Sequence, residues 1–327
     1  MRRPAWNPVI SAGQKSLRRV DDVSDPANDR PPARPSGARP PMKSARRFDR
    51  AVRPFARALP ASIALPAIDR IAVVTARLHA LTGGRLLPAG VSRFPERIEA
   101  LLGAPFTEAE RARLIETRLA FLGLRALVQL LVHDPVRRPG PERLPRITVG
   151  GEEHLTAAHA AGRGAVLITA HFGVPALVRA VLRGRGEEMI GIGDSPVRGV
   201  DVLFAGDVWA RARQMNRLGK LLADNRACMF LVDTARPPAV EVPFLARRLS
   251  ISLGAFRVAA RTGAPLLPVF ALRHADALRV DITPPLAPGG SGKSALGVAI
   301  VEFSRRYATY ARRYPSQLLA YEPISSG

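Results

Sequence analysis

The chain has 327 residues, 47% of them hydrophobic, so it is long and apolar enough to bury a substantial core. Its net charge of +22, from 49 Lys and Arg against 27 Asp and Glu, predicts attraction to anionic partners or surfaces without identifying one. The single cysteine, Cys228, excludes a disulfide framework and a cysteine-based metal site, and its apolar neighbours predict that it is buried.

Residues 1–57 are predicted to form a disordered arm, because Lys and Arg outnumber Asp there and residues 31–43 are rich in proline. Such an arm could hold an anionic surface or could be a plain extension. No apolar segment follows the first arginines, so a secretory signal is not expected. No apolar run reaches the roughly 18 residues of a membrane span, since Asp69 and Arg70 interrupt one candidate and Arg125 interrupts the other. We expect a cytoplasmic protein that is soluble or peripheral to a membrane.

Residues 58–327 are predicted to form one domain, which begins with a helical lead-in over 58–135. Within it, Thr107 and Glu110 form a T-x-x-E capping box ahead of a long helix. This helix is polar on one face at its start and almost wholly apolar at its end. It should become buried in the domain or lie against a lipid surface.

After a proline-rich linker, residues 146–320 alternate between short apolar runs and helical patterns. The predicted strands cover residues 146–149, 165–170, 189–192, 227–232, 240–244, 265–272 and 277–282, and the predicted helices cover 152–161, a segment from Pro175, 209–225, 253–262 and about 294–313. This alternation predicts an α/β fold with a mainly parallel central sheet flanked by helices, and with an N-terminal helical segment.

Two polar residues directly follow apolar strands of this predicted sheet. His171 follows residues 165–170, and Asp233 follows residues 227–232. Ligands of open α/β sheets gather at the carboxyl ends of the strands, so both are candidate site residues. A histidine can act there as a general base, although a strand-end aspartate is also a common helix cap.

The sequence around these residues resembles the late lipid A acyltransferases of Gram-negative bacteria, the lauroyl/myristoyl transferase family. The resemblance is carried by GRGAVLITAHFG at 162–173, by the stretch from 231 to 273 and above all by RTGAPLLPVF at 261–270. It extends from about residue 95 to 320. That family belongs to the larger glycerophospholipid acyltransferase fold, which is therefore the fold that the resemblance implies.

The resemblance implies that a fatty acyl chain is moved from acyl carrier protein or coenzyme A to a hydroxyl or amine of an amphipathic, lipid-like acceptor. The family motif is His, four residues, then Asp or Glu: the imidazole removes the acceptor proton and the carboxylate orients the ring. His171 falls on the motif histidine, but the acid falls on Ala176. No cofactor and no metal is implied, since a thioester is already activated.

Three accounts of the missing acid remain open at this point. His171 could act alone and more slowly, or another acid could replace the missing one, with Asp194 as the first candidate and Asp233 as the second. Alternatively, the chain is catalytically inactive and keeps the fold to bind acyl chains, lipid or acyl carrier protein.

Further site residues follow from the resemblance and from the charge pattern. An arginine that the family carries between the histidine and the aspartate has no secure counterpart here, and basic residues at that point would meet phosphate or the acidic carrier protein. The predicted substrate-binding residues are Phe172, Gly173, Arg211, Arg213, Arg217, Arg247 and Gly254.

Location and partners follow from the same resemblance. Family members carry an N-terminal membrane anchor, whereas this chain has a basic arm, so an acceptor other than lipid A is a further expectation. We expect the protein at an anionic surface on the cytoplasmic side of the inner membrane. Nucleic acid is not an expected partner, because no recognition motif is present and aromatic residues make up 6% of the chain. His154 and His159 do not have the spacing of a metal-binding pair.

Overall fold

The computed structural model describes residues 61–133, 146–187, 189–193, 202–203, 208–234, 238–275, 277–286, 293–319 and 324–325. The predicted basic arm, the proline-rich linker and Asp194 lie outside the described residues.

The N-terminal segment is helical, as predicted. Its helices are α1 (Ala61–Leu81), α2 (Ala89–Ser92), α3 (Phe94–Leu102) and α4 (Glu108–His133). The predicted capping box is confirmed: the Glu110 backbone N–H donates to the Thr107 hydroxyl, and the Thr107 backbone N–H donates to the Glu110 carboxylate at 2.8 Å. Helix α1 packs on α4, and a Cβ on Gly123 of α4 would come within 2.7 Å of the Ile68 side chain. The small residue therefore allows the two helices to approach closely.

The central sheet has seven strands and is mostly parallel, which confirms the predicted fold class. In chain order its strands are β1 (Ile147–Gly150), β2 (Ala165–Thr169), β3 (Met189–Gly193), β4 (Val202–Leu203), β5 (Ala227–Leu231), β8 (Leu266–His274) and β9 (Ala277–Ile282). Their order across the sheet is β1-β9-β8-β2-β5-β3-β4. Strands β8, β2, β5, β3 and β4 all run in one direction, and β9 is antiparallel to β8.

Helices cover both faces of this sheet. They are α5 (Glu152–Ala160), α6 (Pro175–Gly184), α7 (Val208–Ala223), α8 (Gly254–Thr262) and α9 (Lys293–Arg313). Alternate residues of β2 serve opposite faces: Val166 and Ile168 belong to the core under α7, α8 and α9, whereas Leu167 belongs to the core under α4, α5 and α6. All of β2 is buried, as expected of a parallel strand with helices on both sides.

Cys228 lies in β5 and is buried, as predicted, and its burial raises the pKa of the thiol to about 12. Such a thiol stays protonated at neutral pH, so it serves as a core residue.

A second sheet is antiparallel and contains β6 (Ala239–Phe244), β7 (Arg247–Ser252) and β10 (Ile324–Ser325). No strand was predicted over residues 247–252, whereas these residues pair with β6 in a hairpin. The signal that indicates this strand is its alternation, since Leu249 and Ile251 are buried and the residues between them are not.

Among the described residues, no helix combines the length and the apolarity that crossing a membrane requires.

The first prediction concerns the core beneath α9. Phe303 is wholly buried and its ring contacts those of Phe256 and Phe270, so Phe303→Ala should lower the free energy of unfolding by about 3–5 kcal/mol. The matched control is Val298→Ala on the same helix, whose exposed side chain should change stability by less than about 0.5 kcal/mol. Urea denaturation followed by circular dichroism measures both, and equal effects would contradict the assignment of this core.

Candidate active site

His171 and Asp233 lie side by side because they extend two neighbouring strands. Strands β2 and β5 pair in parallel, with Thr169 opposite Leu231. Each polar residue lies two positions beyond its strand, so the same register brings them opposite each other. The backbone N–H of Val232 continues the ladder by donating to the Thr169 carbonyl at 3.0 Å.

The Asp233 carboxylate holds His171 through both of its oxygens. The His171 backbone N–H donates to Oδ2 at 2.7 Å, and the ring nitrogen Nδ1 lies 2.8 Å from Oδ1. A carboxylate accepts hydrogen bonds, so Nδ1 carries a proton and the lone pair of the neutral ring is on Nε2. Asp233 is 2% exposed, while the side chain of His171 is 39% exposed. The arrangement presents a neutral imidazole nitrogen to solvent from an anchored ring.

The pKa of His171 reflects opposing influences. Burial disfavours the charged imidazolium and lowers the pKa, and the positive charge of Arg125 acts in the same direction. The hydrogen bond to Asp233 and the charge of that carboxylate raise the pKa, and they outweigh the other effects. The pKa of His171 is therefore raised above its ordinary value.

The turn after His171 is shaped by backbone contacts that leave no room for a side chain. Gly173 has a φ of 61°, and a Cβ there would lie 1.8 Å from the Ala271 carbonyl oxygen. The Gly173 backbone N–H donates to the Gln317 carbonyl at 2.9 Å, and the Leu319 backbone N–H donates to the His171 carbonyl at 2.8 Å. The segment after α9 thus clamps both sides of the turn.

Phe172 lies in the turn between His171 and Gly173, and its side chain points away from solvent. Its side chain is wholly buried, and its ring meets those of Phe270, Tyr307 and Tyr310 edge-on. The ring therefore anchors the turn in the core. Contact between this residue and substrate stays a prediction that the buried ring does not support.

The motif acid is absent at Ala176, and the carboxylate that contacts the His171 ring comes from Asp233. Ala176 lies in the first turn of α6, directly after Pro175, and offers no polar group to His171. From the sequence, Asp194 ranked before Asp233 as the replacement. Asp194 lies outside the described residues, and Asp233 is the acid whose carboxylate contacts the ring.

The other predicted site residues are spread over several elements. Arg213 and Arg217 are exposed on α7, and the side chain of Arg211 lies outside the described residues. Arg247 begins β7 and donates through Nε to the Ala100 carbonyl, so it ties the hairpin to α3. Gly254 begins α8. No contact described for these residues reaches His171, and their roles in binding stay predictions.

Two residues near the site were not predicted from the sequence. Arg125 affects the charge balance of His171, but in the sequence it stood out only as an interruption of an apolar run. Gln317 holds the Gly173 turn through its carbonyl, and its side-chain amide bonds the backbone N–H and carbonyl of Arg273. For Arg125, the available signal was a charged residue within an apolar run.

A cleft with a volume of about 690 Å³ adjoins this turn. It lies between α1, α4, the end of β8 and the segment after α9, and His171 is not part of its lining. Arg273 borders it and forms a two-pronged ion pair with Asp69 of α1 at 2.6 and 2.7 Å. Because Gln317 lines the cleft and also binds Gly173, the cleft and the His171 turn share a wall.

His159 is partly buried and lies against a carboxylate. Its Nε2 lies 2.7 Å from a Glu187 carboxylate oxygen. Among the described residues, no group of His, Cys, Asp and Glu side chains is arranged to hold a metal ion.

The comparison with known families gives one result. A family model described as bacterial lipid A biosynthesis acyltransferase matches residues 51–291, which is more than half of the chain. No curated protein matches the chain.

The second prediction concerns the charge that Asp233 places beside His171. Asp233→Asn keeps an oxygen for the His171 backbone N–H but removes the negative charge, so the pKa of His171 should fall. Titration of the imidazole by NMR measures this shift. Asp224→Asn, an exposed residue after α7, is the matched control and should leave the titration unchanged. An unaltered pKa in Asp233→Asn would contradict the coupling.

Proposed function

The chain belongs to the bacterial lipid A biosynthesis acyltransferase family, and we propose that it uses His171 as the general base of acyl transfer. The family name indicates transfer of an acyl chain to a lipid-like acceptor. In our proposal the donor is a thioester of acyl carrier protein or coenzyme A, and the acceptor group is a hydroxyl or an amine. The observation that carries the proposal is the hydrogen bond between Nδ1 of His171 and the buried Asp233 carboxylate.

The proposed reaction begins with the acceptor proton. Nε2 of His171 removes this proton as the acceptor oxygen or nitrogen attacks the thioester carbonyl carbon, and a tetrahedral intermediate forms. The intermediate collapses by breaking the carbon–sulfur bond. The thiolate that leaves takes the proton back from Nε2, so the imidazole is neutral again and the acyl chain is bonded to the acceptor.

Asp233 acts in this scheme as a positioning residue for the ring. By accepting from Nδ1 it keeps the neutral tautomer with its lone pair on Nε2, and its charge stabilises the imidazolium of the intermediate. By accepting from the backbone N–H of the same histidine it also fixes the turn that carries the ring. These are the tasks that the motif assigns to an acid at residue 176.

The alternative function is that of a catalytically inactive family member that binds acyl chains, lipid or acyl carrier protein. Ala176 is the observation that favours it, since the motif acid is absent. Asp233 favours catalysis, because a buried carboxylate in this position supplies the missing contact.

The remaining parts of the proposal concern place and partners. We place the reaction on the cytoplasmic side of the inner membrane, at an anionic surface where a lipid-like acceptor would be found. The exposed arginines Arg213 and Arg217 on α7 would meet the acidic carrier protein or a phosphate group.

The third prediction is loss of turnover when the base is removed. With a panel of acyl carrier protein and coenzyme A thioesters, the native chain should transfer acyl groups and His171→Ala should not. His154→Ala, on helix α5, is the matched control and should keep native turnover. Acyl transfer is measured by release of free thiol and by detection of the acylated acceptor.

Asp233→Asn should lower kcat by about 10²- to 10⁴-fold, because its amide would favour the wrong tautomer of the imidazole. A native chain without turnover that gains it in Ala176→Glu would instead establish the inactive alternative. Binding of acyl carrier protein or lipid by that inactive native chain would show that it keeps the fold for binding.

The fourth prediction concerns pH. A general base must be neutral, so kcat/KM should rise as the pH increases through the pKa of His171 in the free enzyme. Since that pKa is raised, the rise should lie above pH 6.5. In Asp233→Asn the residual activity should rise at a lower pH, because the charge that raises the pKa is gone. Identical pH profiles would contradict the assignment of His171 as the base.

A further inference from the structure

Helix α1 and the turn after it carry an unusual concentration of exposed apolar side chains. The described residues expose eight large hydrophobic side chains, and six of them lie in this short stretch of chain. Their exposed fractions range from 47% to 83%. They are Ile63, Ile71, Val74, Leu78, Leu81 and Leu86.

Five of these side chains form one stripe along α1. Ile63, Ile71, Val74, Leu78 and Leu81, with Ala67 between the first two, follow one another at intervals of three or four residues, which places them on one helical face. The other side of the helix is also occupied, because Ala72 and His79 are buried there. A helix that only covered a core would be polar on the side where this stripe lies.

Unpaired positive charge borders the stripe. Arg70 and Arg77 are exposed. They are seven positions apart in the helix, which is about two turns, so both lie along the same edge of the stripe. Neither forms an ion pair with another of the described residues. The one carboxylate between residues 61 and 95 is Asp69, and the bidentate ion pair with Arg273 occupies it.

The arginines separate the stripe from the cleft described above. Val73 and Asp69 line the cleft and lie beyond Arg70 and Arg77 on the helix circumference. From Asp69 the contacts run through Arg273 to Gln317, whose carbonyl holds the turn after His171. A surface that covered the stripe would therefore lie next to the side of α1 that faces the cleft, with the arginines at the boundary.

We propose that this face of α1 binds the surface of an anionic lipid bilayer. The five apolar side chains of the stripe enter the boundary between headgroups and acyl chains, and Arg70 and Arg77 bind lipid phosphates at its edge. This deepens the proposed function by naming the surface that brings the enzyme to a lipid-like acceptor. The binding itself does not depend on catalysis.

Charge favours a lipid surface over the other occupants of this face. A second copy of the chain would bring the arginine edges of two strongly basic proteins together, and each has a net charge of +22. The segment before α1 is itself rich in Lys and Arg, so it would meet the same repulsion. An anionic bilayer can cover the apolar side chains of the stripe and pair with the arginines at its border.

The test uses the full chain and two kinds of vesicle, one of phosphatidylcholine alone and one that also contains phosphatidylglycerol. Co-sedimentation should show binding to the anionic vesicles. The double variant Val74→Ser, Leu78→Ser keeps every charge and should bind them at least about tenfold more weakly. The matched control is Val298→Ser, Val301→Ser, which removes the two exposed valines of α9 and should bind like the native chain.

A second pair of variants tests the positive border. Arg70→Gln, Arg77→Gln should bind anionic vesicles about tenfold more weakly at low salt, with a smaller loss when salt is added. Arg257→Gln, Arg261→Gln on α8 removes the same charge elsewhere and should bind like the native chain. Unchanged binding in both α1 variants would assign vesicle binding to another part of the chain and overturn the proposal.

A fluorescent probe distinguishes lipid from protein occupants. Since Cys228 is buried, an environment-sensitive dye can be attached to Val74→Cys alone, and its emission should shift to the blue when anionic vesicles are added. Blue-shifted emission without vesicles would overturn the proposal: if dilution reverses it, a second copy covers the stripe, and if not, the chain covers it. His171→Ala should bind vesicles normally, so failure of the proposed catalysis and failure of lipid binding are separate results.

Discussion

Asp233 is almost completely buried, and a buried carboxylate is costly unless hydrogen bonds compensate for the lost water. Both of its oxygens are used by one residue, His171, through the backbone N–H and the ring. This double contact is possible because β2 and β5 are parallel neighbours in register. The position of the ring, the tautomer and the raised pKa of the imidazole all follow from that pairing.

The same pairing also determines which carboxylate contacts the His171 ring when residue 176 is an alanine. One Nδ1–H can be donated to one good acceptor, and Asp233 already accepts it from the end of β5. The motif position in α6 carries no acid, while the end of β5 supplies the carboxylate that contacts the ring.

The turn after His171 joins this pair to the rest of the molecule. Gly173 allows the backbone to pass against the Ala271 carbonyl, where any side chain would collide. Gln317 fastens the turn and also binds Arg273, whose guanidinium holds Asp69 on α1. The helix with the exposed apolar stripe is thus tied by polar contacts to the strand ends that carry the candidate site.

Local patterns in the sequence determined most of the elements and singled out His171 as the candidate base. The apolar runs predicted the parallel strands, the capping box predicted the start of α4, and the position of His171 after a buried strand indicated a functional residue. The motif acid was absent from the neighbouring residues, so the sequence left three accounts open and ranked Asp194 before Asp233. Only the tertiary structure showed that Asp233 contacts the ring, because β3 comes between β2 and β5 along the chain but not in the sheet. Strand order and register depend on how distant segments pack, and this packing brings two residues that are 62 positions apart into contact. The exposure of the stripe on α1 also depends on tertiary packing. Periodicity shows which apolar residues share a helical face, and packing alone shows which face stays exposed.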